Sequence, residues 1–565
     1  MTRSVYIDAP QGPRQLARAA GLLSRVIDER SSARSARRED ADLVIRLSTD
    51  TGVPSEGYRI SAEPDGGTHT IAAAGDRGLI YGVGKYLRGC EFGSGRFSPS
   101  TWRGTSAPAM PIRGIYFATH FGNYYESAPV GSIARYIEEL ALWGCNALMV
   151  WFDMHQYCGL EDPRAEEMIE RLHGILQAAN DVGMGGGLLF LANEGFADSP
   201  EHLRVTHAPL QYDVEICPSR PGGLDHILEK RRQVLARFAD LDLDYVCIWP
   251  HDQGGCGCET CNPWGARGFA ALLRELRPLV GDIFPDAKVI ASTWCFDRDA
   301  DGEYAGLWNV LEVQPELVDY LMVDAHEKFP PFVLEHGLPA AIPMLNFTEI
   351  SMKGMLPWGG YGISPLPKHI DQTWQPSQHL LQGGFPYSEG IYEDINKAML
   401  LQRYWSPERD LESILHEYAA YTYSATAAVD MGPLLASLEP DPPLTLAQPI
   451  DAGIFGPPAE LSLQGSTRLK DRPFYDVPDL ASTADRLDRI EPDLPNWVRA
   501  SWRWRILRIR ANLHRELTRS GGRATEATER CFSELTGIYC AENAGRSVHP
   551  PSLDLIRRVS HVDPA

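Results

Sequence analysis

The sequence predicts an α/β protein organised around a (β/α)8 TIM barrel, and three observations carry that expectation. From about residue 106 to 405, eight short apolar runs each end in a polar cluster and are followed by a segment of helical period. No Gly-rich dinucleotide fingerprint follows the first run, as a doubly wound open sheet binding a nucleotide would require. The flanks read differently: residues 1–105 as a small α/β domain, residues 406–565 as a mainly helical C-terminal region.

In the first unit, 4–8 and 41–47 have the β-rich composition of strands, and 14–30 has helical periodicity. Residues 56–60 and 68–73 form two further strands around Pro64-Asp65-Gly66-Gly67, whose residues favour a tight turn, and a helix over 78–88 closes the unit. The barrel strands fall at 112–118, 147–152, 185–192, 245–249, 288–293, 320–323, 341–347 and 381–387. Between them, 132–143 and 164–182 repeat apolar residues every three to four positions, the mark of a helix buried on one face. Past residue 405 a Pro-rich connection (439–443 through 456–458) precedes a segment, 496–517, that reads as one amphipathic helix packed on the barrel.

Composition limits the partners. The chain has 565 residues, 44% hydrophobic and 23% charged, enough apolar content for a real core. A net charge of −22 gives no general attraction for nucleic acid or anionic lipid, and no run approaches the length of a membrane helix. The first residues lack the features of a signal peptide, and eleven scattered cysteines suit a reducing compartment, so a cytoplasmic location is expected. The aromatic tail leaves homo-oligomerisation open.

In a parallel barrel, chemistry collects where the strands end, because only that rim surrounds one point with several loops. Here the rim is dense in carboxylates and aromatics. The second strand ends in Trp151, Asp153 and His155, the third in Asn193-Glu194, the fourth in Trp249-Pro250-His251-Asp252-Gln253. Trp294 follows the fifth strand, Asp324-Ala325-His326-Glu327 the sixth, Glu349 the seventh, and Tyr387-Ser388-Glu389 the eighth. Glycoside hydrolysis needs this combination: one carboxylic acid protonates the leaving oxygen, a second carboxylate serves water or attacks, and flat rings stack on the sugar. Trp151, Asp153, His155, His251, Trp294, Tyr387 and Glu389 are the expected substrate contacts, while Glu393 and Asp394 enter a helix, Glu393 as its cap. For a uronic acid, Lys328, Lys353 or Arg298 could supply the cation.

The sequence also resembles known families. Glu56-Gly57-Tyr58-Arg59-Ile60, residues 68–73 and Asp76-Arg77-Gly78-Leu79-Ile80-Tyr81-Gly82-Val83 look like the small domain preceding the barrel in glycoside hydrolase family 20 hexosaminidases and family 67 α-glucuronidases. Pro111-Ile112-Arg113-Gly114-Ile115-Tyr116 is similar to the barrel opening of the same families, and the helical tail fits the family 67 plan better. The likeness is at superfamily level. Family 20 implies an Asp-Glu pair after the fourth strand, but Asp252 is followed by Gln253, which cannot donate a proton. Family 67 implies an acid on the fourth strand with an Asp on the sixth and a Glu on the seventh serving water; Asp252, Asp324 and Glu349 match, with Asp for the family's Glu at the acid. The shorter side chain leaves Glu194 as the other candidate acid. The expectation is therefore an exo-acting glycosidase of oligosaccharides, α-glucuronidase-like or related. Alternatives are a substrate-assisted N-acetylhexosaminidase or a catalytically silent carbohydrate-binding protein.

No cofactor is required for this chemistry. Cys256-Gly257-Cys258-Glu259-Thr260-Cys261 offers three thiols to a structural zinc if a fourth ligand arrives from Cys158, Cys217, Cys295 or His251; the other reading is free thiols packed in a loop.

Overall fold

The computed structural model describes residues 4–9, 14–93, 96–120, 123–205, 214–252, 254–298, 300–326, 328–351, 362–439, 480–520 and 525–540. The Pro-rich connection beyond Glu439, together with Gln253, Glu327 and Lys353, lies outside the described residues.

The N-terminal strands are β1 (Ser4–Asp8), β2 (Arg34–Ser35), β3 (Leu43–Thr49), β4 (Tyr58–Ala62) and β5 (Thr68–Ala73), then β6 (Glu91–Gly93), β7 (Arg96–Ser98) and β8 (Gly104–Ser106). β6 and β7 pair as a ribbon; the others form one sheet in the order β2-β1-β3-β5-β4-β8, antiparallel only where β4 meets its two neighbours. The helix Arg14–Arg30 packs its apolar stripe on this unit, and the closing helix runs Asp76–Arg88, two residues longer than the periodicity implies.

The barrel follows as β9 (Ile112–Phe117), β10 (Ala147–Trp151), β11 (Gly185–Leu191), β12 (Leu243–Trp249), β13 (Lys288–Ser292), β14 (Tyr320–Ala325), β15 (Met344–Thr348), β16 (Leu381–Gly384) and β17 (Tyr387–Ser388). All pair in parallel, and β9 closes the ring against β10 on one side and β16 and β17 on the other. Two expected strands need correction. The eighth is split at Phe385-Pro386, since proline has no N–H for the ladder. The seventh begins at Met344, because Pro339–Ala341 make a 3-10 turn with left-handed φ at Ala340 and Ala341. Closure depends on glycine: Gly383 has φ 128°, and a Cβ there would lie 1.6 Å from the carbonyl oxygen of Ile112.

The opening motif of the barrel has a structural explanation. Arg113, fully buried, pairs with Glu56 at 2.5 Å and donates to the carbonyl of Gly144, riveting the small domain to the barrel. Beside it, Gly84 lets the helix Asp76–Arg88 press on the helix Val130–Leu142, where a Cβ would meet the Leu142 carbonyl oxygen at 1.9 Å.

The tail packs against the barrel as helices, with one correction. The segment 496–517 is two helices, Asn496–Ala500 and Trp502–Ser520, because the Ser501 hydroxyl accepts the backbone N–H of Trp504 and starts the second. Trp504, Ile506, Leu507 and Ile509 are buried, while Arg503 pairs with Asp394 at 2.7 Å and with Glu139 at 2.6 Å. The helix Glu526–Tyr539 brings the Tyr539 hydroxyl to the carbonyl oxygen of Glu389 at 2.9 Å.

Candidate active site

Strand parity decides what enters the barrel. Side chains alternate between faces along a strand, and Tyr116, Met149, Trp151, Leu191, Trp249, Met322, Phe347 and Tyr387 form a buried cluster inside the ring, distinct from the main core. Two residues beyond these anchors lie Asp153, His251, Asp324, Glu349 and Glu389. Glu194, Asp252 and His155 fall out of that register and reach the site through their loops.

Aromatic rings floor the site. Tyr116 and Tyr387 stack with centroids 5.7 Å apart, and Phe347 meets Trp249 at 4.7 Å. Trp294, half-buried, lies 5.6 Å from Trp249 and 5.4 Å from the His326 ring.

Around this floor the carboxylates form two connected groups. In the first, the Trp294 indole N–H donates to the Asp252 backbone carbonyl at 3.2 Å, and the Asp324 carboxylate accepts the backbone N–H groups of His326 at 2.8 Å and Cys295 at 3.3 Å. His326 Nδ1 lies 3.3 Å from Glu349, whose other oxygen accepts the Ser351 N–H. The Asp324 and Glu349 carboxylates therefore meet through His326, and Trp294, packed on the His326 ring, ties the Asp252 backbone to the same corner. Asp252 and Asp324 are half-buried, and Glu349 is fully buried.

In the second group, Glu194 accepts from the His155 backbone at 3.1 Å and meets its Nδ1 at 2.6 Å; among the described residues, its other oxygen, also buried, has no hydrogen-bond partner. The His155 ring lies 5.7 Å from Trp151, which meets His120 at 4.9 Å. His120 is held neutral, its pKa down to about 3, by burial and by His155 beside it. Tyr387 donates its hydroxyl to Glu389 at 3.0 Å. The groups meet at the tyrosine pair. Burial, then the charges of Asp252, Asp153 and Glu194, raise the Tyr116 pKa; burial, then Glu389 and Glu349, raise that of Tyr387. Glu389 itself is pushed well above the usual carboxylate range by burial, then by Glu349 and Glu393, against the Tyr387 hydrogen bond.

Two expectations change in detail. Glu393 occupies the N-cap of the helix Asp394–Trp405 without capping it. Its carboxylate instead accepts the Gly390 N–H at 2.6 Å and the Ser388 and Ser351 hydroxyls at 2.8 and 3.1 Å, binding the loops after the seventh and eighth strands together. His251 is buried and turned to its own loop, its Nδ1 accepting the Gly254 N–H at 2.9 Å. Of the cations, Lys328 is exposed, and Arg298 donates to Cys295 Sγ at 3.3 Å, next to Asp324. Tyr116, Phe347 and the bridging role of His326 are absent from the sequence expectation; extending the inward parity of each strand would have found the two rings.

No protein-family model and no curated protein matches the chain. Solved structures do. The fold, a (β/α)8 barrel, is shared with solved glycoside hydrolases. The chain is similar to the GH20 β-N-acetylhexosaminidase from Streptomyces coelicolor A3(2), with 14% identity and a TM-score of 0.53 over 76% of this chain and 93% of that one. It is also similar to a GH115 4-O-methyl-α-glucuronidase with specificity for decorated arabinogalactans, with 12% identity and a TM-score of 0.58 over 98% and 78%. A GH138 enzyme targeting pectin rhamnogalacturonan II aligns at 12% identity and a TM-score of 0.56, over 98% and 90%. The GH115 and GH138 alignments take in the helical tail as well as the barrel; the GH20 alignment takes in about three quarters of the chain.

Proposed function

We propose that the protein hydrolyses O-glycosidic bonds of oligosaccharides at the carboxylate rim of its barrel. The observation that carries this reading is the contiguous set Asp252, Trp294, His326, Asp324 and Glu349, drawn from four strand ends into one neighbourhood. Asp252, half-buried, protonates the leaving oxygen. Glu349, assisted by Asp324, takes a proton from the water whose oxygen bonds to the anomeric carbon, so the product has inverted configuration. Glu194 is the less suited acid, because His155 already engages one of its oxygens twice. Glu389, protonated, donates a hydrogen bond to a sugar hydroxyl, and Trp294 offers its ring to the sugar face. Arg298, beside Cys295 and Asp324, is placed to meet the carboxylate of a uronic acid.

A panel of aryl glycosides, uronides included, tests this, with the product anomer read by NMR. Turnover with inversion is expected. Asp252→Asn should lose most activity on poor leaving groups and least on activated ones, the signature of a missing acid. Retention of configuration removes Glu349 from the role of base. Tight binding of an oxazoline mimic would favour a substrate-assisted N-acetylhexosaminidase, and sugar binding with no turnover a silent binding protein.

A further inference from the structure

We propose that Cys217, Cys256, Cys258 and Cys261 form a structural zinc site that clips the third βα loop of the barrel to the fourth, the loop carrying Asp252. The four sulfurs lie within 4.8 Å of one another. Zinc bonded to thiolates at about 2.3 Å in a tetrahedron sets sulfur-to-sulfur edges of about 3.8 Å, and Cys217 and Cys258 stand 3.9 Å apart. That distance is far beyond a disulfide bond, and all four cysteines are free. Among the described residues, no carboxylate or imidazole joins the cluster. An all-thiolate set selects zinc over calcium or magnesium, and four protein ligands close the site to substrate, which makes it structural.

The surroundings are built for it. Cys217, Cys256 and Cys261 are buried and Cys258 half-buried. The Ser219 hydroxyl lies 3.1 Å from Cys217 Sγ and 3.3 Å from Cys258 Sγ, where it can steady thiolate charge. The Cys261 N–H donates to the Cys258 carbonyl at 3.0 Å, a turn that brings those thiols together. Trp264 holds the loop from below, its indole donating to the Pro250 carbonyl at 2.9 Å. Across the gap, Ile216 donates to the Asn193 carbonyl at 2.7 Å, next to Glu194. Binding would release the thiol protons to solvent and fix the distance between the loops that carry Glu194 and Asp252.

Zinc in the full-length protein, purified without chelator, is measured by elemental analysis, a readout independent of any glycosidase activity. About one zinc per chain is expected. Cys217→Ser should weaken retention against a competing chelator by more than about tenfold, whereas Cys158→Ser, at an exposed cysteine outside the cluster, should leave it unchanged. If Cys217→Ser fails to fold, cobalt added to the stripped wild-type chain decides. Thiolate-to-cobalt charge transfer with tetrahedral d–d bands supports the site, and an octahedral spectrum overturns it. Negligible zinc in the purified wild type, or full zinc retention in folded Cys217→Ser, also overturns it.

Discussion

Replacing Glu349 by glutamine removes the charge proposed to activate water while keeping the shape of the side chain. One Glu349 oxygen accepts the Ser351 N–H, a bond the glutamine carbonyl can keep; the other faces His326 Nδ1 at 3.3 Å, where the new amide would sit. Losing that pair costs about 1 kcal/mol. The melting temperature should move by a few degrees at most. Catalysis should respond on another scale. A general base contributes about 10² to 10⁴ in rate, equivalent to about 2.7–5.4 kcal/mol of transition-state stabilisation. Because the base acts in the transition state, kcat should fall by that factor with KM little changed, and the acidic limb of the kcat/KM profile should disappear. The assay is hydrolysis of the best aryl glycoside from the panel across pH, beside a thermal melt of each variant. Activity within about threefold of wild type, in a variant that melts normally, would refute the assignment.

Two further outcomes follow from buried charge. Glu389 has a folded-state pKa raised by burial, Glu349 and Glu393, so its contribution to stability is fully present below the unfolded carboxylate value of about 4.3 and is lost as pH rises through the folded value. Glu389→Gln, always neutral, should therefore gain stability over wild type as pH rises above the unfolded carboxylate value, and melting curves that stay parallel across pH would contradict the raised value. Burial works to raise the Asp394 pKa, but Arg503 and Lys397 hold it below its usual value. Arg503→Ala, which leaves that carboxylate to Lys397 and the hydroxyls of Tyr136 and Tyr418, should cost up to about 3–5 kcal/mol by denaturant titration, and a cost below about 1 kcal/mol would show that the tail is anchored elsewhere.

Much of the barrel was legible because apolar strands ending in polar clusters repeat at a regular spacing; the face each residue takes was left unread, although strand parity carries it. Met322 faces inward and so Asp324 follows it; Phe347 and Glu349 repeat the relation. Parity failed at Asp252 and Glu194, which lie past the last paired residues, where loop conformation takes over. The Ser501 break was hidden by a continuous amphipathic period, although a serine one residue ahead of the new helix is a capping signal. The role of Glu393 was also hidden, because acidic residues at a helix start ordinarily serve the helix, and here the loops claim the carboxylate.

The sequence alone determined the alternation of strands and helices, the carboxylates and rings gathered at the strand ends, and the three closely spaced thiols, since each depends on local periodicity or spacing. Only the tertiary structure decided that Cys217, some forty residues earlier in the chain, completes the thiol cluster, that His326 stands between Asp324 and Glu349, and that Tyr539 of the tail holds the loop after the eighth strand. Those contacts join residues far apart in the chain, and no local pattern encodes them: their partners are chosen by how the barrel closes and how the tail packs on it.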